Sequence, residues 1–556
     1  MLGIFKKMSG PSVLLVALGL SLLNACTSTE QCMIPDDATF VMTYDTKTLC
    51  DKAKTANIAN SKLVQHLKEQ LGMSDNDSNE MVKLALACLK DPEESGISFK
   101  NEITFFSNYQ SMYSACIMHL ADKRKFVSNL ELMFKEMNSS YELKENANLS
   151  YYTFDDINAP VIGWNDSTVC VLLKMPTYYL RDKDKAPSSE EYLKELFSLP
   201  KEKQLTNNEA YRAFLKDKKD IAMFFQFKGF AKSFEDLTKS NGFNGLIYGI
   251  APILNVYSSV FEDFEDFCGV GNVSFNKNDI TADYYYLKGS KKVSIDKYKI
   301  LDSKFDEGLL KYVSESPKAL LAYSFNVKNL LNFTTNIAKS SGQGAMLESD
   351  EIKKIISSIS EGLGGNFALS FDGIQENGNA EPMPLVSLVF DIKDKDKILG
   401  LNMGIMTVEK MMESSKNEQG YYNIERRNLN IYAAINDDAC IISNYENAVK
   451  TFMRDGYDKS LVDNDAIMPK LLSNNAFVFA QLNLADYYSL INPGSETKAV
   501  MDAWNNIAQT LEIAGNDKEA SCVLKLNPNN EYENSLVALI KLVDYFAEGL
   551  DLDDEF

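Results

Sequence analysis

Histidine is almost missing from this 556-residue chain: only His66 and His119 occur, each among apolar residues of a predicted helix or strand. One imidazole can relay a proton, yet two isolated ones form no H-E-x-x-H pair and no histidine-rich metal set. The G-x-S-x-G and G-x-x-x-x-G-K-[ST] patterns are absent too, which removes the commonest motif-bearing hydrolases and P-loop enzymes. Tryptophan is as scarce as histidine. Trp164 and Trp504 are the two large platforms available for stacking a sugar, while the 27 Tyr and 31 Phe fall mostly at core periods. Nine cysteines are too sparse for a disulfide scaffold, and no C-x-x-C pair exists, so neither a zinc ribbon nor a thioredoxin-like motif is supported. Positive charge is also in deficit, with 57 Lys and Arg against 78 Asp and Glu and a formal net charge of −21. A surface this negative repels phosphate backbones, so nucleic acid is not an expected partner.

What is present begins at the amino terminus. Lys6 and Lys7 precede an apolar run from Val13 to Leu23, and Leu23-Asn24-Ala25-Cys26 resembles the lipobox of bacterial lipoprotein signal peptides. The resemblance implies a leader over 1–25, lipidation of Cys26, and a tether over 26–35. Each buried methylene of an acyl chain contributes about 0.8 kcal/mol, so two or three chains hold a protein stably at a membrane. A spanning helix needs about 20 apolar residues, and this run is shorter. The expected membrane contact is therefore the lipid on Cys26.

The chain also repeats itself. Ala38 to Leu49 matches Ala319 to Leu330 and Ala476 to Tyr487, with a weaker copy at Ile221 to Phe227. Each is a strand-like run, and the three full copies end in Asp45, Asn326 or Asn483, side chains suited to cap a following helix. Asp122-Lys123 aligns with Asp394-Lys395, Tyr151-Tyr152 with Tyr421-Tyr422, Asn165-Asp166 with Asn436-Asp437, and Cys170 with Cys440. Ile352, Ile355, Ile356 and Ile359 stand at helical spacing, and Asn366 to Phe371 and Leu385 to Ile392 alternate as strands. The expected fold is α+β: a tandem duplication of antiparallel or mixed-sheet modules with helices packed on one face. The first half spans 36–300 (larger module 36–215, smaller 216–300) and the second 301–547 (301–465 and 466–547). An acidic tail, 548–556, follows. Cys170 and Cys440 are expected to be buried, free thiols at matched places.

Other candidates for chemistry are weak. Gly269-Val-Gly271 enters a strand, where a dinucleotide fingerprint opens a helix. Gly362-Leu-Gly364-Gly365 reads as a helix end and turn. Asp75-Asn-Asp77-Ser-Asn79 starts like a calcium loop, but Glu80 and Leu86 stand where that loop needs Gly and Glu. Phe261, Phe264 and Phe267 recur every third residue with acids between them, a core stripe with a solvated face. Trp164, one residue before the Asn165-Asp166 turn, is open to exposure, although its counterpart Ile435 speaks for packing. No catalytic, cofactor-binding or metal-binding residue is assigned, and no cofactor is expected.

The lipobox, the duplicated modules and the acidic surface together resemble the uncharacterised envelope lipoproteins of the Bacteroidetes that are grouped as a domain of unknown function. The resemblance covers most of the mature chain and brings no catalytic residues with it. Thr27-Ser-Thr-Glu-Gln31 lacks the acidic cluster that resembles a surface-export signal in such lipoproteins, which favours the periplasmic side of the outer membrane. The expected function is a lipid-anchored, non-enzymatic binding or scaffold role toward a protein or glycan; the alternative is a hydrolase acting on envelope polymers or glycans.

Overall fold

The structure is a computed structural model that describes residues 33–53, 58–62, 64–65, 80–136, 139–146, 148–154, 159–175, 187–228, 264–301, 304–340, 349–376, 382–401, 416–426, 429–488, 494–528 and 532–549. The chain divides into two units: residues up to 292 together with those from 531 onward, and residues 293–530.

In the first unit the described strands are β1 (Phe40–Tyr44), β2 (Ile97–Ser98), β3 (Ile103–Asn108), β4 (Tyr113–Leu120), β5 (Tyr141–Asn146), β6 (Leu149–Phe154), β7 (Val161–Trp164), β8 (Thr168–Lys174), β9 (Ile221–Gln226), β10 (Cys268–Phe275), β11 (Asp279–Lys288) and β12 (Lys291–Lys292). All of these pairings are antiparallel, in the order β12-β11-β10-β9-β1-β3-β4-β8-β7-β6-β5, and β2 also pairs with β4. The second unit has β13 (Ala319–Ser324), β14 (Leu363–Gln375), β15 (Met383–Ile392), β16 (Tyr422–Arg426), β17 (Leu429–Ile435), β18 (Ala439–Ser443), β19 (Ala476–Gln481), β20 (Ala508–Gly515) and β21 (Glu519–Leu526). Its order is β21-β20-β19-β13-β14-β15-β18-β17-β16, again antiparallel. The class is thus α+β. From β11 to β6 the strand order of the first unit is that of the second. The strands placed in a smaller module by sequence continue the same sheet, since β9 pairs with β1 and β19 with β13.

Short polar side chains set the corners in both units. Asp45 accepts the Thr48 amide at 3.0 Å and Asn326 the Asn329 amide at 3.1 Å, each satisfying a first-turn donor that the helix itself leaves orphaned. Asn165 Oδ1 accepts the amides of Ser167 and Thr168, and Asn436 Oδ1 those of Asp438 and Ala439, closing the β7–β8 and β17–β18 hairpins alike. The Gly96 carbonyl accepts the amides of Ala121 and Asp122, as the Gly362 carbonyl accepts those of Lys393 and Asp394. After Gly362 the chain passes directly into a bulged β14, not a turn. Gly365 sits there at φ +111, and a Cβ would lie 2.0 Å from the Phe325 carbonyl oxygen.

Each sheet has a main core on one face. In the first unit Phe106, Tyr113, Leu172, Phe224 and Val270 meet the helices Ser189–Phe197 and Glu209–Asp217 through Leu193, Leu196 and Phe214. In the second, Leu320, Ala368, Val389, Ile441 and Phe477 meet Val449, Phe452 and Leu471 from the helices Glu446–Met453 and Met468–Ser473. The other face is covered over part of its area: Phe126 and Phe134 of the helix Lys123–Glu136 pack on Tyr152, Ile162, Trp164 and Val169, and Ile398 packs beside Ile392 and Cys440. The helix Ser535–Gly549 belongs to the first unit, unlike its place in the sequence-based second half. Leu536 packs with Leu49, Ala53 and Phe275, and Asn534 Nδ2 donates to the Lys52 carbonyl at 2.8 Å.

Cys170 and Cys440 are both free and buried, at 0% and 6% exposure. Their match is corrected by one residue. Cys170 pairs with Gly163 and joins the main core, whereas Cys440 pairs with Ile435 and lies on the opposite face. The two turns are of equal length, but Cys170 stands one residue further along its strand from Asn165 than Cys440 does from Asn436, and with a side-chain period of two a single-residue shift exchanges faces. Register makes Ile441 the counterpart of Cys170 and Val169 that of Cys440.

Candidate binding surface

The faces away from the main cores carry rows of apolar side chains. In the second unit, cross-strand partners form a row through seven strands: Ile442, Leu388, Leu369, Leu321, Val478, Ile513 and Cys522. With strands about 4.8 Å apart, the row is about 29 Å long. Leu369, Ile442 and Ile513 are 36%, 38% and 38% exposed, and the others half-buried. Tyr323 stacks on Phe367 at 5.6 Å on one flank, and Phe371 on Tyr487 at 5.7 Å on the other. No charged side chain stands in the row.

Register places an equivalent row in the first unit: Val171, Cys116, Phe105, Met42, Met223, Gly271 and Tyr284. Here rings and sulfur replace branched aliphatics. Tyr284 lies against β10, where a Cβ on Gly269 would come within 2.5 Å of its hydroxyl and one on Gly271 within 3.2 Å of Met223 Cε. Tyr284 and Tyr286 meet edge to face at 4.9 Å, and burial raises the Tyr284 hydroxyl pKa. These glycines serve close packing in a strand. Neither row carries a general base. The two thiols are poor nucleophiles as well, because burial pushes Cys116 up to about 12 and raises Cys522. The chemistry available to both rows is apolar contact.

The residues singled out by sequence fall elsewhere. Cys26, Cys32, His66, Asp75 to Asn79 and the acidic tail lie outside the described residues; Cys50 is a free thiol pushed up to about 12 by burial. His119 is half-buried on β4 opposite Thr168. Glu80 opens the helix Glu80–Lys90, which contains Leu86. Phe264 is buried while Glu265 and Asp266 are exposed, a core stripe in its described part. Trp164 is packed, not exposed: it is 2% accessible and lies against Phe126 at 6.2 Å and Tyr152 at 4.9 Å. Trp504 donates its Nε1 proton to the Leu482 carbonyl. Among the described residues no group of three His, Cys, Asp or Glu is placed to hold a metal ion, and no helix is long and apolar enough to cross a membrane.

The apolar rows had a signal in the sequence that the motif search passed over. Leu320-Leu321, Ala368-Leu369, Leu388-Val389, Ile441-Ile442 and Phe477-Val478 are unbroken apolar pairs, where a sheet with one wet face alternates.

No curated protein matches this chain. Among solved structures it is similar to TP0453: crystal form I has 9% identity and a TM-score of 0.22 over 52% of this chain and 82% of that one. Crystal form III has 8% identity and a TM-score of 0.23 over 48% and 83%. A family model matches residues 31–492, most of the chain, and the protein accordingly belongs to the family described as domain of unknown function (DUF4836).

Proposed function

We propose that the protein is a lipid-anchored binding component of a bacterial cell envelope, of the Bacteroidetes type, held by lipid on Cys26 at the periplasmic side of the outer membrane. In this reading it docks an apolar partner segment on the second unit's open row. The single observation that carries the binding role is that row: seven neighbouring strands present apolar side chains, three of them exposed, without one charge. Covering the exposed third of Leu369, Ile442 and Ile513 returns about 0.5–1 kcal/mol for each. A row of partly exposed apolar side chains running across the strands suits a protein segment laid over them. The Leu-Asn-Ala-Cys sequence supports the anchor, and the shared strand order supports descent of both units from one duplicated module.

A photocrosslinking amino acid at Leu369 in the lipidated protein, in intact envelopes, tests the docking surface. One discrete adduct is expected, lost with Ile513→Glu and absent when the probe replaces exposed Met453. Equal, diffuse labelling at both sites contradicts it. Cys26→Ser releases the protein from membranes on this reading; full retention at high salt refutes the anchor.

A further inference from the structure

Beyond the apolar rows, the second unit contains a cleft of about 630 Å³ between the helices Val327–Ser340 and Asp350–Gly362. Its character is opposite to that of the chain. Lys328, Lys339, Lys353 and Lys393 line it, against one acid, Glu361, in a protein of net charge −21. That acid is already engaged: Lys397, outside the cleft lining, holds one oxygen of Glu361 at 2.8 Å, and Ser357 donates to the other at 2.6 Å. Both contacts keep the Glu361 carboxyl below its ordinary range. Lys328 and Lys393 are exposed and form no ion pair among the described residues. Lys339 and Lys353 have partners of their own, so Lys328 and Lys393 are the two ammonium groups that an anion seated in this open cleft would neutralise, and the low-dielectric walls beside them strengthen that attraction. Leu331 and Ile356 add a small apolar floor, and the volume lies within the range of small-ligand sites.

We infer that this cleft is a binding site for a multiply charged anion bearing phosphate or carboxylate groups. Ammonium groups act as point charges that tolerate either geometry, so the ligand class is set by charge and spacing. The carrier is a phosphorylated headgroup or an acidic glycan, which share this chemistry. The site is independent of the apolar row.

The test is calorimetric titration of the detergent-solubilised, lipidated full chain with three probes: inorganic pyrophosphate, glycerol phosphate and a galacturonic acid oligomer. Saturable binding of at least one is expected, weakening as salt is raised. The double change Lys328→Gln with Lys393→Gln should weaken it by roughly tenfold or more, while Lys291→Gln with Lys292→Gln should not. Binding of the phosphates alone assigns a headgroup-like ligand, and binding of the oligomer alone an acidic glycan. Absence of saturable binding by all three, or equal weakening in both double variants, overturns the proposal. Unchanged thermal unfolding of the Lys328/Lys393 variant guards against loss of fold, and Lys328→Arg with Lys393→Arg must retain binding. Leu369→Glu, which tests the apolar row, must leave the titration unchanged.

Discussion

The two units place the same kinds of residue at their corners and different kinds on their open faces. Asn165 and Asn436 close equivalent hairpins, Lys123 reaches Asp166 as Lys395 reaches Asp437, and Tyr151 donates to Glu190 as Tyr421 donates to Glu446. On the open rows the first unit has Met42, Phe105, Met223, Gly271 and Tyr284 where the second has Leu321, Leu369, Val478, Ile513 and Cys522. Corners are constrained by backbone donors that need partners whatever the sheet is used for. Open faces are free to diverge, so the difference between the rows is where separate roles for the units would reside.

The largest test of the shared architecture lies at two glycines whose carbonyls do the same task. Gly96 has φ +82, and a Cβ there would meet the Phe126 backbone nitrogen at 2.4 Å, whereas at Gly362 it would meet first the movable Ile398 side chain at 2.6 Å. Gly96→Ala should cost about 3 kcal/mol or more, and Gly362→Ala about 1 kcal/mol, measured by denaturant unfolding. Equal losses would mean that the two sites are held alike.

Cys170→Ser and Cys440→Ser should each destabilise by about 1–3 kcal/mol by burying a hydroxyl. Both native thiols should alkylate slowly, since burial raises Cys170 and pushes Cys440 up to about 12. Rapid labelling of either would contradict its burial. Smaller and equal effects, about 1 kcal/mol each, are expected for Asn165→Ala and Asn436→Ala, because each leaves two turn amides without an acceptor. A loss confined to one unit would break the equivalence of the hairpins.

The smallest expected effect is a pH dependence. Lys144, with help from Tyr151, holds Glu190 below its ordinary range, and Lys450, with Tyr421, does the same for Glu446. A depressed carboxylate contributes stability that is present above its unfolded pKa and lost as pH falls through the folded one. Melting temperature should therefore drop as acid is added below about pH 4.5, near the carboxyl's ordinary value. Glu190→Gln and Glu446→Gln should each flatten part of that drop. An unchanged acid limb in both variants would show that these solvent-screened networks are energetically silent.

Much of the architecture was legible because caps and turns are local. Asn326, Ser349 and Asn436 announce their corners by residue type alone, and the isoleucine spacing marks the helix Asp350–Gly362. Register was less legible: the Cys170 and Cys440 alignment followed residue identity and was one place off, because the equal Asn turns, and not the cysteines, set which strand residues stand opposite each other. The apolar rows stayed hidden for another reason. Paired apolar residues such as Leu320-Leu321 show that both faces of a strand are apolar, not which one is left uncovered. The lysine cleft joins residues more than sixty positions apart, from Lys328 to Lys393, and only the packing of two helices assembles it.

The central claim, that the second unit's row is covered by a partner in the envelope, has a built-in reporter in Cys522, a half-buried free thiol in that row. Its alkylation rate, read by mass spectrometry, should be several-fold slower in intact envelopes than in the purified protein. Cys88, half-buried on the helix Glu80–Lys90 outside either row, should show no such change. Equal rates for Cys522 in the two preparations would contradict the claim.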